Sequence, residues 1–282
     1  MASGKRFDRA AEDVGGIIAM EHINITVPDQ TLATLFYVNG LGLTRDPYID
    51  FGPTNVWINA GNQQFHLPTK NSQVIRGHVG LVLPNLKELA ERLHSLEKRL
   101  IGTRFSFQRA KDFISVTCPW GNKFKCYGSG NRFNMNLGIP YVEFVVPPGT
   151  TKGIARFYEE IFRCESIVRK TSCQIAVGRG QSLRFKENQR QLDYDGHHIA
   201  IYVSNFSTPH AYLHRHGLIT EESDAHQYRF QTIIDPSSGK KLFDVEHEVR
   251  SLHHPMYGRF LVNRNASQSF LNYQQGLDSF RP

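Results

Sequence analysis

Four stretches of the chain share one hydrophobic pattern: HINITVP from His22, HVGLVLP from His78, YVEFVVP from Tyr141 and HIAIYVS from His198. Each is rich in β-branched residues and closes on Pro or Ser, which predicts a strand. The intervals from residue 22 to 78, 141 and 198 are 56, 63 and 57, so the strand opens a module repeated four times. Each is followed by apolar residues at helical spacing, in TLATLFYVNGLG, LKELAERLHSLEKRL, KGIARFYEEIFR and STPHAYLHRHG. Gly40 and Gly217 stand where helix C-caps are expected. Three short strands complete each copy, predicting an α+β fold of four βαβββ modules.

The last strand of each module carries a polar residue between apolar neighbours. These triplets are Phe65-His66-Leu67, Phe124-Lys125-Cys126, Leu183-Arg184-Phe185 and Phe243-Asp244-Val245, and their central residues follow the first-strand residue by 44, 47, 43 and 46 positions. Alternation turns the central residue away from its apolar neighbours, so one sheet face meets helices and the other meets water or a cavity. The plainer reading is a sheet with one solvated face. Chemistry favours the cavity, because three such positions in the first half are histidine: His22, His66 and His78.

Composition narrows the field. A hydrophobic content of 40% over 282 residues fills a sizeable core and excludes a disordered or fibrous chain. No apolar run is long enough for a membrane span, and MASGKRFDRAAEDVGG lacks the apolar run of a secretory signal, so a soluble cytoplasmic protein is expected. Cys118, Cys126, Cys164 and Cys173 show no CxxC pairing and are expected to be reduced structural thiols. The net charge of +7 comes from 33 basic residues interspersed with 26 acidic ones, which speaks against nucleic acid and for a small-molecule substrate, anions included. The oligomer expected is a monomer or homodimer. His94, His210, His214 and His216 fall on predicted helices as surface or packing residues, and Gly178-Arg179-Gly180 reads as a hairpin turn.

Strands led by histidine, helices with Phe36-Tyr37 and Phe157-Tyr158, and the turns Cys118-Pro119-Trp120-Gly121-Asn122 and Asp235-Pro236-Ser237-Ser238-Gly239 together make the chain resemble the vicinal oxygen chelate superfamily over about residues 18 to 250. That superfamily includes glyoxalase I, bleomycin-binding proteins and extradiol dioxygenases. The resemblance implies two cupped half-barrel domains of two modules each. They are expected at 18–132 and 133–250, between an N-terminal arm 1–17 and a C-terminal tail 251–282 that could cover a cup mouth.

The resemblance also implies metal ligands at the first-strand and last-strand positions of paired modules. Carried over, these are His22, His66, His78 and Lys125 in the first half, and Tyr141, Arg184, His198 and Asp244 in the second, with Glu246 as a same-face substitute. The metal expected is Fe2+, Mn2+, Zn2+, Co2+ or Ni2+, on His22, His66 and His78. Lys125, Tyr141 and Arg184 are the candidate catalytic residues. Lys125 stands where the superfamily keeps a carboxylate, and reads as a base, a cation that steers an anionic substrate, or the mark of a lost metal. Pairing of modules one and four instead gathers His22, His66, His198 and Asp244, and leaves His78, Lys125, Tyr141 and Arg184 as an anion-binding or structural cup. The short connections 66 to 78 and 184 to 198 favour sequential pairing. The function expected is a metal-dependent enzyme chelating two substrate oxygens, a dioxygenase first and otherwise a lyase or isomerase; the rival is a non-catalytic binding protein of the bleomycin-resistance type.

Overall fold

The computed structural model describes residues 12–49, 51–130 and 133–261, with the single positions 267, 269 and 272. Most of the expected N-terminal arm, and the tail beyond 261 apart from those three positions, lie outside the described residues. The first module runs β1 (Ile17–Asn24), α1 (Gln30–Thr34), which continues into a π-helical turn at Leu35–Gly40, then β2 (Thr44–Arg45), β3 (Asn55–Ala60) and β4 (Gln63–Pro68). The second is β5 (Gly77–Leu83), α2 (Leu86–Leu96), β6 (Ser106–Arg109), β7 (Ile114–Thr117) and β8 (Lys123–Gly128). The third is β9 (Gly138–Val146), α3 (Thr151–Phe162), β10 (Ser166–Arg169), β11 (Ser172–Ala176) and β12 (Ser182–Glu187). The fourth is β13 (His198–Val203), α4 (Ser207–Arg215), β14 (Ile219–Asp224), β15 (Gln227–Ile234) and β16 (Lys241–Arg250).

Local chemistry sets the helix ends. Asp29 and Asn85 cap α1 and α2, each accepting from two backbone N–H groups that have no partner inside the helix. The left-handed residue after the first helix is Gly42, at φ +74°, and not Gly40. Gly40 is required for a different reason: a Cβ there would stand 2.8 Å from the Leu96 side chain.

The strands form two eight-stranded sheets, ordered β14-β15-β16-β13-β1-β4-β3-β2 and β10-β11-β12-β9-β5-β8-β7-β6. Within each module the first strand runs parallel to the last, and two modules join where their first strands pair antiparallel, β1 with β13 and β5 with β9. Modules one and four therefore share one cup, and two and three the other. This corrects the sequential pairing, and the halves 18–132 and 133–250 each contribute to both sheets.

The core explains why short connections misled. A single buried cluster includes Phe36, Tyr37 and Phe65 of module one beside Phe124, Leu89 and Leu93 of module two. The Phe36 and Phe124 rings stand 5.8 Å apart, and Phe65 and Phe124 5.9 Å. Modules adjacent in sequence thus meet through the apolar faces of their sheets. A short linker is satisfied by that crossing as well as by strand pairing. Fully burying each such side chain contributes about 1.5–3 kcal/mol, so the shared core dominates the joining of the two sheets. All four cysteines are free and buried, and no helix among the described residues is long and apolar enough to cross a membrane.

Candidate metal centre

The back-to-back arrangement turns the polar face of each sheet away from the core. Sheet register then defines one equivalent position in every last strand, because it pairs with the residue two beyond the first-strand position. Asn24 pairs with His66, Gly80 with Lys125, Glu143 with Arg184 and Ala200 with Glu248. The first cup therefore presents His22, His66, His198 and Glu248, and the second His78, Lys125, Tyr141 and Arg184.

Glu248 was missed by sequence spacing. Along β16 the polar residues Asp244, Glu246, Glu248 and Arg250 alternate with Phe243, Val245, His247 and Val249, so periodicity offered several equivalent candidates. The parallel register of β16 with β13 sets the equivalent position at Glu248, four residues beyond Asp244, and β16 carries two register irregularities against β15. Asp244 instead accepts from Thr232 Oγ1 at 2.8 Å and pairs with Lys241 at 2.5 Å.

His22, His66 and His198 converge: one ligand nitrogen from each lies within 4.8 Å of the others, the one such trio among the described residues. Two metal–nitrogen bonds of about 2.0–2.1 Å span roughly 3–4 Å, so small side-chain rotations close the set. His78 lies on the other sheet and is not part of it, which corrects the expected trio His22, His66 and His78. Lys125, Tyr141 and Arg184 stand in that other cup as well.

Each converging ring is held through Nδ1. His22 Nδ1 lies 3.1 Å from Glu21 Oε2, and His198 Nδ1 3.3 Å from Glu246 Oε1. A Nδ1–H that donates to a carboxylate leaves the lone pair on Nε2. The β-bulge between Met20 and His22 lets Glu21 reach its sequence neighbour from the same side of the strand. The Asn24 amide nitrogen donates to His66 Nδ1 at 2.6 Å; with the amide turned over, its oxygen would accept from Nδ1–H and leave the lone pair on Nε2. The Nε2 atoms of His22, His66 and His198 are buried with no hydrogen-bond partner among the described residues, and Glu248 Oε2 stands 3.5 Å from that of His198.

Electrostatics suit a cation. Burial, then the neighbouring imidazoles, brings His66 down to about 2, and burial also lowers His22, so these rings are neutral at pH 7. Burial alone would raise Glu21, but Arg250 and His22 outweigh it and hold the carboxyl at about 2. Glu248 is likewise ionised, its burial overcome by Arg250, and it pairs with Arg229 and Arg250 at 2.5 Å each. Three carboxylates, Glu21, Glu246 and Glu248, thus face two guanidiniums, leaving one net negative charge beside three lone-pair donors.

The walls separate two sides. Trp57 stacks on His66 with ring centroids 4.0 Å apart and meets His22 edge-on at 4.9 Å. Tyr48, Ile49 and Met256 pack on Trp57, and Arg259 reaches back to Asp46 at 2.6 Å, so the described start of the C-terminal tail covers this side. The other side opens into a cavity of about 830 Å³ lined by His66, His198, Glu246, Arg229, Lys70 and Asn24 among others.

Four other histidines are engaged elsewhere. His197 points away from the trio, 2.6 Å from Asp195, and stacks on Phe144. His247 lies in the core against Tyr158 OH at 2.6 Å. His94 and His210 pair with Glu97 and Glu222 on the surface.

No protein-family model matches the chain, and neither does any curated protein. Among solved structures, the chain resembles a "putative dioxygenase" from Bacillus subtilis subsp. subtilis str. 168, at TM-score 0.59 and 14% identity over 91% of this chain and 90% of that one. It also resembles glyoxalase I from Zea mays, at TM-score 0.57 and 14% identity over 82% and 92%. A third likeness is to the cppA protein from Streptococcus pneumoniae TIGR4, at TM-score 0.51 and 10% identity over 85% and 100%.

Proposed function

The chain has the fold of the vicinal oxygen chelate superfamily, and from that premise we propose that it is a metal-dependent enzyme acting on a small oxygenated molecule in the first cup. The observation that carries this is the convergence of one nitrogen from each of three imidazoles, whose Nε2 atoms are buried with no hydrogen-bond partner among the described residues. His22, His66 and His198 would hold a divalent ion such as Fe2+, Mn2+, Zn2+, Co2+ or Ni2+, with Glu248 as the adjoining carboxylate. Once bound, such an ion chelates two adjacent substrate oxygens and polarises them or, as Fe2+, engages dioxygen, so a dioxygenase is the first reading and a lyase or isomerase the second.

The chain's own residues supply the rest. Glu21 and Glu246 orient the rings, and Trp57 excludes water from one face of His66. At the open mouth, Lys70 draws an anionic oxygen toward the trio, while Arg229 is held by Glu246 and Glu248. Glu246, a candidate ligand on sequence grounds, becomes a positioning residue.

Purified protein is expected to carry about one divalent metal per chain, measured by elemental analysis, and to lose thermal stability when a strong chelator removes it. A non-catalytic binding protein predicts the reverse: metal-free protein whose ligand binding a chelator leaves unchanged. Glu248→Gln is expected to lower metal affinity about 10- to 100-fold, the range for groups that support a site. Asp244→Asn is expected to leave affinity unchanged; equal losses in both titrations would remove Glu248 from the site.

A further inference from the structure

The second cup inverts the charge of the first. At its four equivalent positions stand His78, Lys125, Tyr141 and Arg184, with no carboxylate among them. An ammonium and a guanidinium at two of four positions repel a dication. Alternation adds to them: Lys123 and Lys125 share the face of β8 opposite the core residues Phe124 and Cys126, and Arg184 and Lys186 share the face of β12 opposite Leu183 and Phe185. The acidic groups nearby are fewer, Glu143 on the floor and Glu12 and Asp13 at the rim.

This face is organised. Tyr127 OH lies 2.9 Å from Tyr141 OH, which lies 3.1 Å from His78 Nε2, and His78 Nδ1 stands 3.5 Å from Glu143. Burial, followed by Lys125, Arg184, Lys186 and Lys123, lowers His78 to about 3, so the ring is neutral and the cations are the charges a ligand meets. Arg184 lies over the Tyr141 ring at 3.7 Å, and its Nε donates to Ser182 Oγ at 3.4 Å, which fixes the guanidinium on this face. Gly80 makes room for that ring, since a Cβ there would approach it to 2.3 Å. Arg184, Lys186, Arg169 and Gln174 line a cavity of about 790 Å³, large enough for a small organic molecule. Among the described residues, no carboxylate pairs with Lys125, whose ammonium sits 5.5 Å over the Phe113 ring.

We propose that the second cup is an anion-binding site that takes a small organic molecule bearing at least two negative charges on phosphate or carboxylate oxygens, with Lys125 and Arg184 as its principal partners. Phe133, which lines the cavity beside Arg184, favours a planar body over a bare ion. The site is independent of the metal in the first cup, and the failure of either assignment leaves the other standing.

The test uses the full chain with phenyl phosphate, phthalate and inorganic phosphate, read by calorimetry and by thermal shift. Phenyl phosphate or phthalate is expected to bind and raise the unfolding temperature, more weakly at high ionic strength. A response to phenyl phosphate alone assigns a phosphate ligand; equal responses assign anionic oxygen in general. Lys125→Gln and Arg184→Gln are each expected to weaken binding by at least about tenfold, as the loss of a charge-assisted hydrogen bond does. Lys125→Arg keeps the charge and binding within about threefold, so the site is testable even where the glutamine variants fold poorly. His66→Ala, in the other cup, leaves binding unchanged. The proposal is overturned if none of the three anions binds, if binding survives in the Lys125→Gln, Arg184→Gln double variant, or if it vanishes in His66→Ala.

Discussion

His198→Ala is expected to lower metal affinity by more than about a hundredfold, beyond the range for a supporting residue, while His78→Ala leaves it unchanged. The contrast tests the pairing of modules as well as the ligand set. His22 and His66 come from the first module, so a metal shared with His198 requires modules one and four to form one cup, and a metal shared with His78 requires one and two. Metal content after dialysis, with competition against a chromophoric chelator for affinity, separates the outcomes. Equal retention by the two variants would remove His198 from the site. Nδ1 of His198 rests against Glu246 and its ring lies 5.8 Å from that of His22, so the alanine variant removes an oriented donor without unpicking the sheet.

Arg259→Leu is expected to cost about 3 kcal/mol of stability, the low end for breaking a buried ion pair, and to lower the unfolding temperature by roughly 5–10 °C. Asp46 is fully buried and also accepts from Gln64 Nε2 at 2.7 Å and from the backbone N–H groups of Tyr48 and Ile49. Those bonds satisfy its geometry, but Arg259 is its balancing charge among the described residues. Removing the guanidinium leaves a carboxylate buried without compensation. The double variant Asp46→Asn, Arg259→Leu is expected to recover part of the loss. Calorimetric unfolding that moved by less than about 1 kcal/mol would mean the contact is a surface pair and the tail a loose cover. Trp57 links this pair to the histidine trio, since Met256 packs on its ring beside His66.

Much of the fold is legible in the chain because each module repeats its own local chemistry. The strands expected at His78, Tyr141 and His198 lie within a few residues of where alternation placed them, the one expected from His22 instead spans Ile17–Asn24, and α2, α3 and α4 follow their apolar spacing. His22, His66 and His198 are legible for the same reason: each sits on a strand whose apolar neighbours can only face the core. Glu248 was not legible as the cup-facing residue, because β16 carries four polar residues at the right parity and the register with β13 chooses among them. Glu21 was hidden by the bulge that brings it to the same side as its neighbour.

Local sequence thus determined the module, its four copies and the parity of the strands away from their bulges, since these depend on side-chain spacing over a few residues. Tertiary structure alone decided which copies share a cup, because a linker of about ten residues spans either the sheet edge or the shared core. That choice separates His78 from His22 and His66, brings in His198, and sets three imidazoles and carboxylates in one cup against lysines and arginine in the other.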